Sequence, residues 1–476
     1  MKVLKQILVL VWAYYPLLLQ AQTGIPKPTR TQLAWHDMEF YLFMHFGPNT
    51  FTDLEWGHGN EKEEVFNPTN LDCEQWCRIA KAAGAKGIII TAKHHDGFCL
   101  WPSKFSTHTV RESKWKDGKG DVLKELSAAC KNYGLKFGVY ISPWDRNHPD
   151  YGTEKYNDVF VNMMKEIFKN YGPVWELWWD GANGEGPNGK RQVYDWKRFE
   201  QTVRELSPST LVFSDIGPDI RWVGNEQGFA GKTNWNTLDT AGFTRGAGAP
   251  SQDTLNIGNV NGKNWIPAEC DVSIRPGWFY HKAEDSKVKT PEQLFELYLK
   301  SVGRGANLLL NVPPDKRGLI TQYDSAALVG FKKLRQQNLT NNPFKNAKTY
   351  HLFHGILKVA PALSDANDKT IELVTEAVQQ SVGVELKFKR ARKINCIVLH
   401  EDISKGQACS KFKLLLFNSK DEVVKEIYGT TIGKKRIISF SVLNINTIEL
   451  TIEQQDRSTG ISGIEAYLIN EKLIEK

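Results

Sequence analysis

Between residue 36 and about residue 340, short apolar runs alternate with amphipathic stretches of helical period. No other feature constrains the chain as strongly. Strand-like runs at 40–46, 87–92, 135–141, 174–179, 211–215 and 307–312 are interleaved with helix-patterned segments at 74–83, 122–133, 156–170, 193–206, 291–303 and 324–337. Strands separated by helices must run parallel, because each helix carries the chain back to the end of the sheet where the next strand starts. A (β/α)8-type barrel is the expected α/β fold. A polar residue closes nearly every run (His45, then His94, His95 and Asp96, Ser142, Asp180, Asp215), and such strand ends form the working face of a barrel. A doubly wound open sheet is the rival, but no glycine-rich phosphate-binding turn follows the first strand.

The pattern changes after residue 340. All 15 tryptophans lie at or before Trp278, and β-branched runs at 371–374, 382–388, 394–399, 412–417, 437–442 and 446–452 follow one another with only turns between them. This predicts a C-terminal antiparallel β-sandwich domain. The expected division is a leader over 1–21, a catalytic barrel over 22–340 and the sandwich over 345–476. Without tryptophan the sandwich lacks the residue most used to stack on a sugar face, so its expected role is structural. The glycine-rich stretch 241–262 reads as a long loop of the barrel half.

Residues 1–21, MKVLKQILVLVWAYYPLLLQA, have a basic start, an apolar centre and a small residue at the end, the pattern of a secretory signal. Pro16, Gln20 and Gln22 interrupt or close the segment, which argues against a membrane anchor. No later apolar run is long enough to span a bilayer. The chain is therefore expected to be exported, to a periplasm or beyond. The formal net charge of +7 is partly carried by Lys2 and Lys5 and forms no concentrated stripe, so no nucleic-acid partner is expected. Cys73 and Cys77 lie one helical turn apart, and the odd total of seven cysteines favours buried thiols for most of them.

The sharpest chemical signal is Trp-Glu-Leu-Trp-Trp-Asp-Gly at 175–181. Asp180 stands where a run of large apolar residues stops, beside Trp178 and Trp179. A carboxylate so placed suits a nucleophile facing a sugar ring whose apolar face packs on indole, and otherwise an Asp that merely caps a turn. His94 and His95 suit metal ligation or hydrogen bonding to hydroxyls. Neighbours on an extended strand point to opposite sides, so only a bend lets both rings face one ligand. His45, and Glu55 with Trp56 in the following loop, add donors, acceptors and an apolar surface to the same end of the barrel. This set suits a neutral polyhydroxylated ligand better than a phosphate. Asp180 also needs an acid partner: Glu226, beside Trp222 in RWVGNE, is one possibility, with Glu185 and Glu269 as alternatives.

Together these segments resemble the α-L-fucosidases of glycoside hydrolase family 29: FMHFGPNTF at 43–51, EWGHG at 55–59, ITAKHHDGFCLWPSKFS at 90–106, YISPWDRN at 140–147, LWWDGANG at 177–184, RWVGNEQG at 221–228 and NLLLNVPPDKRGLI at 307–320. The resemblance implies a cofactor-free, metal-free retaining hydrolase with Asp180 as nucleophile. RWVGNEQG resembles the branch acting on α-1,3/1,4-linked fucose, which implies Glu226 as acid/base. Fucose contacts carry over to His45, Glu55, Trp56, His94 and His95, and to Tyr140, Trp178, Arg221 and Trp278. The implied partner is a fucosylated oligosaccharide or glycoconjugate glycan. Two other readings use the same residues: a metal-dependent hydrolase built on His94 and His95, and a glycan-binding protein without catalysis.

Overall fold

Strand residues of alternating address close the first half into a barrel. A computed structural model describes residues 25–474 apart from 354–355, 361–362, 365–371, 375–381 and 455–458. The leader expected over 1–21 lies outside the described residues. Eight parallel strands pair in a closed ring: β1 (Phe40–Met44), β2 (Gly87–Lys93), β3 (Lys136–Ile141), β4 (Glu176–Trp178), β5 (Leu211–Ser214), β6 (Ile220–Trp222), β7 (Ala268–Ser273) and β8 (Asn307–Asn311), with β8 hydrogen-bonded back to β1. Successive side chains alternate across a strand. Tyr41, Phe43, Ile89, Tyr140, Trp178, Phe213, Ile220 and Leu309 therefore fill the barrel. Leu42, Met44, Ile88, Ile90 and Leu177 face the surrounding helices. Trp178 lies flat on Phe213, with ring centres 3.9 Å apart and planes 8° from parallel. Such stacks add about 0.5–1.5 kcal/mol beyond buried area.

Helices Cys73–Ala83, Val122–Tyr133, Glu154–Tyr171, Trp196–Leu206, Pro291–Lys300 and Gln322–Asn338 clothe the barrel. Their starts are set by side chains that accept otherwise unpaired amides: Asp72 from Gln75, Asp121 from Lys124, Asp195 from Arg198. Gly84 and Gly134 end the first two in the left-handed conformation that glycine adopts without strain.

Two departures from the sequence reading bear on function. Strands β5 and β6 are joined by residues 215–219 alone, with no helix between them, and RWVGNE begins on a barrel strand. The stretch read as a plain loop over 241–262 contains the helix Gln252–Ile257. Neither β6 nor β7 shows a continuous apolar run, because Arg221, Glu269 and Asp271 interrupt them.

From Lys348 onward every pairing is antiparallel. Two long strands, Val382–Glu401 and Arg436–Gln454, break register at Lys387/Arg392 and Ile394/Cys396 and join both halves of one folded sheet. Its own core includes Val384, Leu386, Ile397, Leu399, Leu414 and Ile464. This sheet grips the barrel near the root of the segment after β6, where Gln407 binds Asn234 and Asn236 and Thr431 accepts from the Asn234 amide, and again before β1, where Lys434 pairs with Asp37. All seven cysteines are buried free thiols. Among the described residues no helix is long and apolar enough to cross a membrane.

Candidate active site

The open end of the barrel holds a small cavity lined by Phe43, His45, Glu55, Trp56, His94, His95, Tyr140, Trp178, Asp180, Ala182, Glu226, Asp271 and Trp278. Strand alternation accounts for most of it. Odd residues of β1 face inward, which carries the series Tyr41, Phe43 to His45; even residues of β4 carry Glu176, Trp178 to Asp180. His94 and His95 both reach the cavity because β2 stops at Lys93 and the two follow it in a turn, so the rule of opposite sides no longer applies.

Asp180 is 26% exposed at its side chain. The Tyr140 hydroxyl donates to its Oδ2 at 2.9 Å and the Ala182 amide to its Oδ1 at 2.7 Å. Burial first, then the Asp180 charge, pushes the Tyr140 phenol well up, which keeps it a donor. His95 Nε2 stands 3.6 Å from Asp180 Oδ2.

The tautomers of two histidines follow from their partners. Asn311 donates its Nδ2 protons to the Trp278 carbonyl at 2.7 Å and to Ser273 Oγ at 3.0 Å, so its Oδ1 accepts from His45 Nδ1 at 2.8 Å. Ser142 donates to the Trp144 carbonyl at 2.9 Å, so its Oγ accepts from His95 Nδ1 at 2.8 Å. Burial pushes both imidazoles down to about 4, leaving each neutral with an unprotonated Nε2. His94 is also buried, and burial followed by the neighbouring His95, His45 and Lys93 holds it well below the usual range. Its ring lies 17° from parallel to Tyr140 and edge-on to Phe279. Among the described residues no group of three or more His, Cys, Asp or Glu side chains is arranged to hold a metal.

Glu226 follows β6 in a tight turn. Gly224 has φ +87°, and a Cβ there would sit 2.6 Å from the Gln252 carbonyl oxygen, so the turn requires glycine. Asn225 Oδ1 accepts from the Gln227 amide at 3.1 Å and Asn225 Nδ2 donates to the Phe229 carbonyl at 2.9 Å. Asn256, on the helix Gln252–Ile257, donates to the Val223 and Phe229 carbonyls, clamping the segment from behind. Burial raises the Glu226 carboxyl, and the charges of Asp180 and Glu55 add to it; the Trp278 indole N–H, 3.3 Å from Oε2, works against them.

Glu55 is 38% exposed and accepts three protein donors: the Trp278 amide at 2.7 Å, the Phe279 amide at 3.1 Å and His281 Nε2 at 2.7 Å. One lone pair, on Oε2, remains for a ligand hydroxyl. Trp56 is 54% exposed and stands edge-on to His95 and Trp144 at the rim.

Arg221 corrects the sequence reading. Ile220 and Trp222 face the barrel interior, so Arg221 between them points outward. It is fully buried and gives its N–H groups to the carbonyls of Leu255, Ile266 and Trp235 and to Asn234 Oδ1, away from the cavity. Of the alternative acids, Glu185 is exposed and outside the cavity lining. Glu269 is fully buried lower in the barrel, bonded to Tyr41 and Trp178.

The structure adds residues the sequence reading missed. Asp271 lies in the cavity wall, held well above the carboxylate range by burial and then by Glu226 and Glu269; its Oδ1 has no partner. Asn311, which orients His45, ends β8 and fits the rule of polar strand ends. His281 bridges Asp53 and Glu55 and had no signal in the strand pattern.

The family model for α-L-fucosidase matches residues 31–338, the whole barrel. The chain belongs to the α-L-fucosidases of glycoside hydrolase family 29. It is an enzyme of that class. The fucosidase is 38% identical over 453 residues to an Arabidopsis thaliana protein described as α-L-fucosidase 1, covering 93% of this chain and 88% of the relative. It also matches the structure of a glycoside hydrolase family 29 member from a rumen bacterium: 38% identity, TM-score 0.82, 94% of this chain and 78% of the other. A Ruminococcus gnavus family 29 fucosidase solved in complex with fucose superposes with TM-score 0.83 at 28% identity, covering 95% of this chain and 96% of that one.

Proposed function

We propose that this α-L-fucosidase is a retaining, exo-acting enzyme that removes α-1,3/1,4-linked L-fucose from branched glycans, with Asp180 as nucleophile and Glu226 as acid/base. The observation that carries the reading is the unequal treatment of two carboxyls in one cavity. Asp180 takes two hydrogen bonds in the cavity, whereas Glu226, on the rim, is raised toward the protonated form by partial burial and by its acidic neighbours. A nucleophile must be ionised and a general acid protonated at the start of the same turnover.

In the first step Asp180 attacks the anomeric carbon while Glu226 gives its proton to the departing glycosidic oxygen, forming a fucosyl ester. In the second, Glu226 takes a proton from water, which displaces Asp180 and releases α-L-fucose. Neutral His45 and His95 each present an unprotonated Nε2, an acceptor for a sugar hydroxyl, and the open lone pair of Glu55 takes another. Trp178, Phe43 and Trp278 supply apolar walls for the ring and its methyl group. The bound Ruminococcus gnavus relative supports fucose as the occupant. The RWVGNE segment supports the linkage, and the pattern of residues 1–21 supports export as its setting.

The test is free-fucose release from a trisaccharide bearing α-1,3 or α-1,4 fucose beside a linear α-1,2 fucoside, with Asp180→Ala and Glu226→Ala in parallel. Release from the branched sugar alone, lost in both variants, is the expected result. Equal release from the linear sugar would remove the linkage assignment. Binding without release from either sugar would favour a glycan-binding protein.

A further inference from the structure

Among the described residues Glu226 takes one side-chain hydrogen bond, from the Trp278 indole, and Trp278 is tied through Glu55 to two groups with no part in the mechanism, His281 and Asp53. His281 lies between two carboxylates, with Nδ1 2.8 Å from Asp53 Oδ1 and Nε2 2.7 Å from Glu55 Oε1. Asp53 sits at φ +64°, in the left-handed turn that closes the helix Pro48–Thr52 and aims its carboxylate back at the ring. With acceptors on both nitrogens, both must donate, so the ring carries a positive charge while both bonds hold. Burial opposes that charge, but the bonds and charges of Glu55 and Asp53 outweigh it and hold His281 above the ordinary imidazole range.

Glu55, fixed from this side, accepts the backbone amides of Trp278 and Phe279 with its two oxygens. Phe279 packs edge-on to His45 and His94, and Trp278 lies over His45 with ring centres 5.1 Å apart. The Asp53, His281 and Glu55 groups thus set the backbone of two residues that shape the sugar wall. One of these also reaches the acid.

We infer that His281 is a positioning residue: through Glu55 it fixes the backbone of Trp278, and so the indole that orients Glu226 toward the leaving oxygen. The inference rests on the reading of Glu226 as acid/base. His281 touches neither Asp180 nor Glu226, and its action runs through Glu55 and Trp278.

A residue that serves proton donation matters most when the leaving group needs a proton. The experiment uses the full enzyme and compares a fucosylated trisaccharide with an aryl α-L-fucoside whose acidic phenol departs unaided. It measures kcat and KM for wild type, His281→Ala, His281→Gln and Glu226→Gln. We expect His281→Ala to lose at least about tenfold more kcat/KM on the trisaccharide than on the aryl fucoside, mainly in kcat. His281→Gln, which keeps one donor, should fall between Ala and wild type and covers the case in which the Ala variant fails to fold. Both should move the alkaline limb of the pH profile upward, because Glu55 loses its compensating cation and raises Glu226 further. Equal losses on the two substrates, or an unmoved limb, with Glu226→Gln still showing the substrate split, would overturn the role of His281 alone. No split in Glu226→Gln would overturn the acid/base reading and this inference with it.

Discussion

Strand β4 and the residues that follow it carry two acids on the same side of the chain, four residues apart, and the barrel treats them oppositely. Glu176 lies low in the interior with no solvent contact, whereas Asp180 stands at the mouth. Glu176 receives the Trp35 indole N–H at 3.2 Å and lies beside Glu269, which holds Tyr41 and Trp178. Burial first, then the other carboxyl, pushes Glu176 well up, and burial raises Glu269 too, so this pair keeps a proton. At the mouth, Asp180 faces Tyr140, the Ala182 amide and His95. Two carboxyls sealed from water become a structural hydrogen-bonding unit. Two carboxyls at an open rim, one held by two donors and the other raised by desolvation and by its acidic neighbours, form an acid and nucleophile pair.

The comparison breaks most directly at the rim. Asp180→Ala should lower kcat on the order of 10⁴-fold or more while leaving the melting temperature within a few degrees of wild type; a residual rate within tenfold would return Asp180 to a turn-capping role. Glu226→Gln should cost roughly 10²–10⁴-fold on a glycan. In wild type the activity must fall as pH rises through the raised Glu226 value, since only the protonated acid donates. An alkaline limb that persists unchanged in Glu226→Gln would assign it to another group.

The buried pair should answer to stability instead. Glu269→Ala leaves the Tyr41 hydroxyl and the Trp178 N–H without their acceptor and should cost about 2–5 kcal/mol of unfolding free energy. Both carboxyls titrate higher in the fold than in the unfolded chain. Their contribution is therefore full at acid pH and lost as pH rises through neutrality, so the melting temperature should decline across that window. The decline should be shallower in Glu269→Gln; identical slopes in calorimetry would mean that the pair is not the source.

Arg221→Lys, which cannot fill four acceptors, should lower stability by about 1–3 kcal/mol with KM nearly unchanged, measured by denaturant unfolding beside kinetics. A KM rise with unchanged stability would restore it to the sugar site. Trp56→Ala should have the smallest effect, no more than about tenfold in kcat/KM, greater for branched glycans than for aryl fucosides.

Much of the barrel was legible because its strands alternate apolar runs with helices, and because polar residues at the strand ends mark one face. Asp180, His45 and the two adjacent histidines followed from that rule, with the bend after Lys93 settling how His94 and His95 share a cavity. Strand β7 was not legible. Its Ala-Glu-Cys-Asp-Val-Ser pattern places two acids where a strand is expected to show apolar residues, and only the closed barrel supplies their neighbours. Arg221 was assigned to the sugar by resemblance alone; that 220–222 is a strand, which turns its side chain outward, was not visible in the residue pattern. The contacts of His281 with Asp53 and Glu55 join residues more than 220 positions apart, which no local pattern encodes.

The central claim is that Asp180 carries the sugar between two displacements while Glu226 serves both. The most direct measurement is peptide mass spectrometry of Glu226→Ala incubated with an aryl α-L-fucoside whose phenol leaves without acid help, so that the second step becomes slow. A fucosyl ester on the peptide containing Asp180, with α-L-fucose as the first product released, is the expected result. An ester on another residue, or β-L-fucose formed with no adduct, would contradict it.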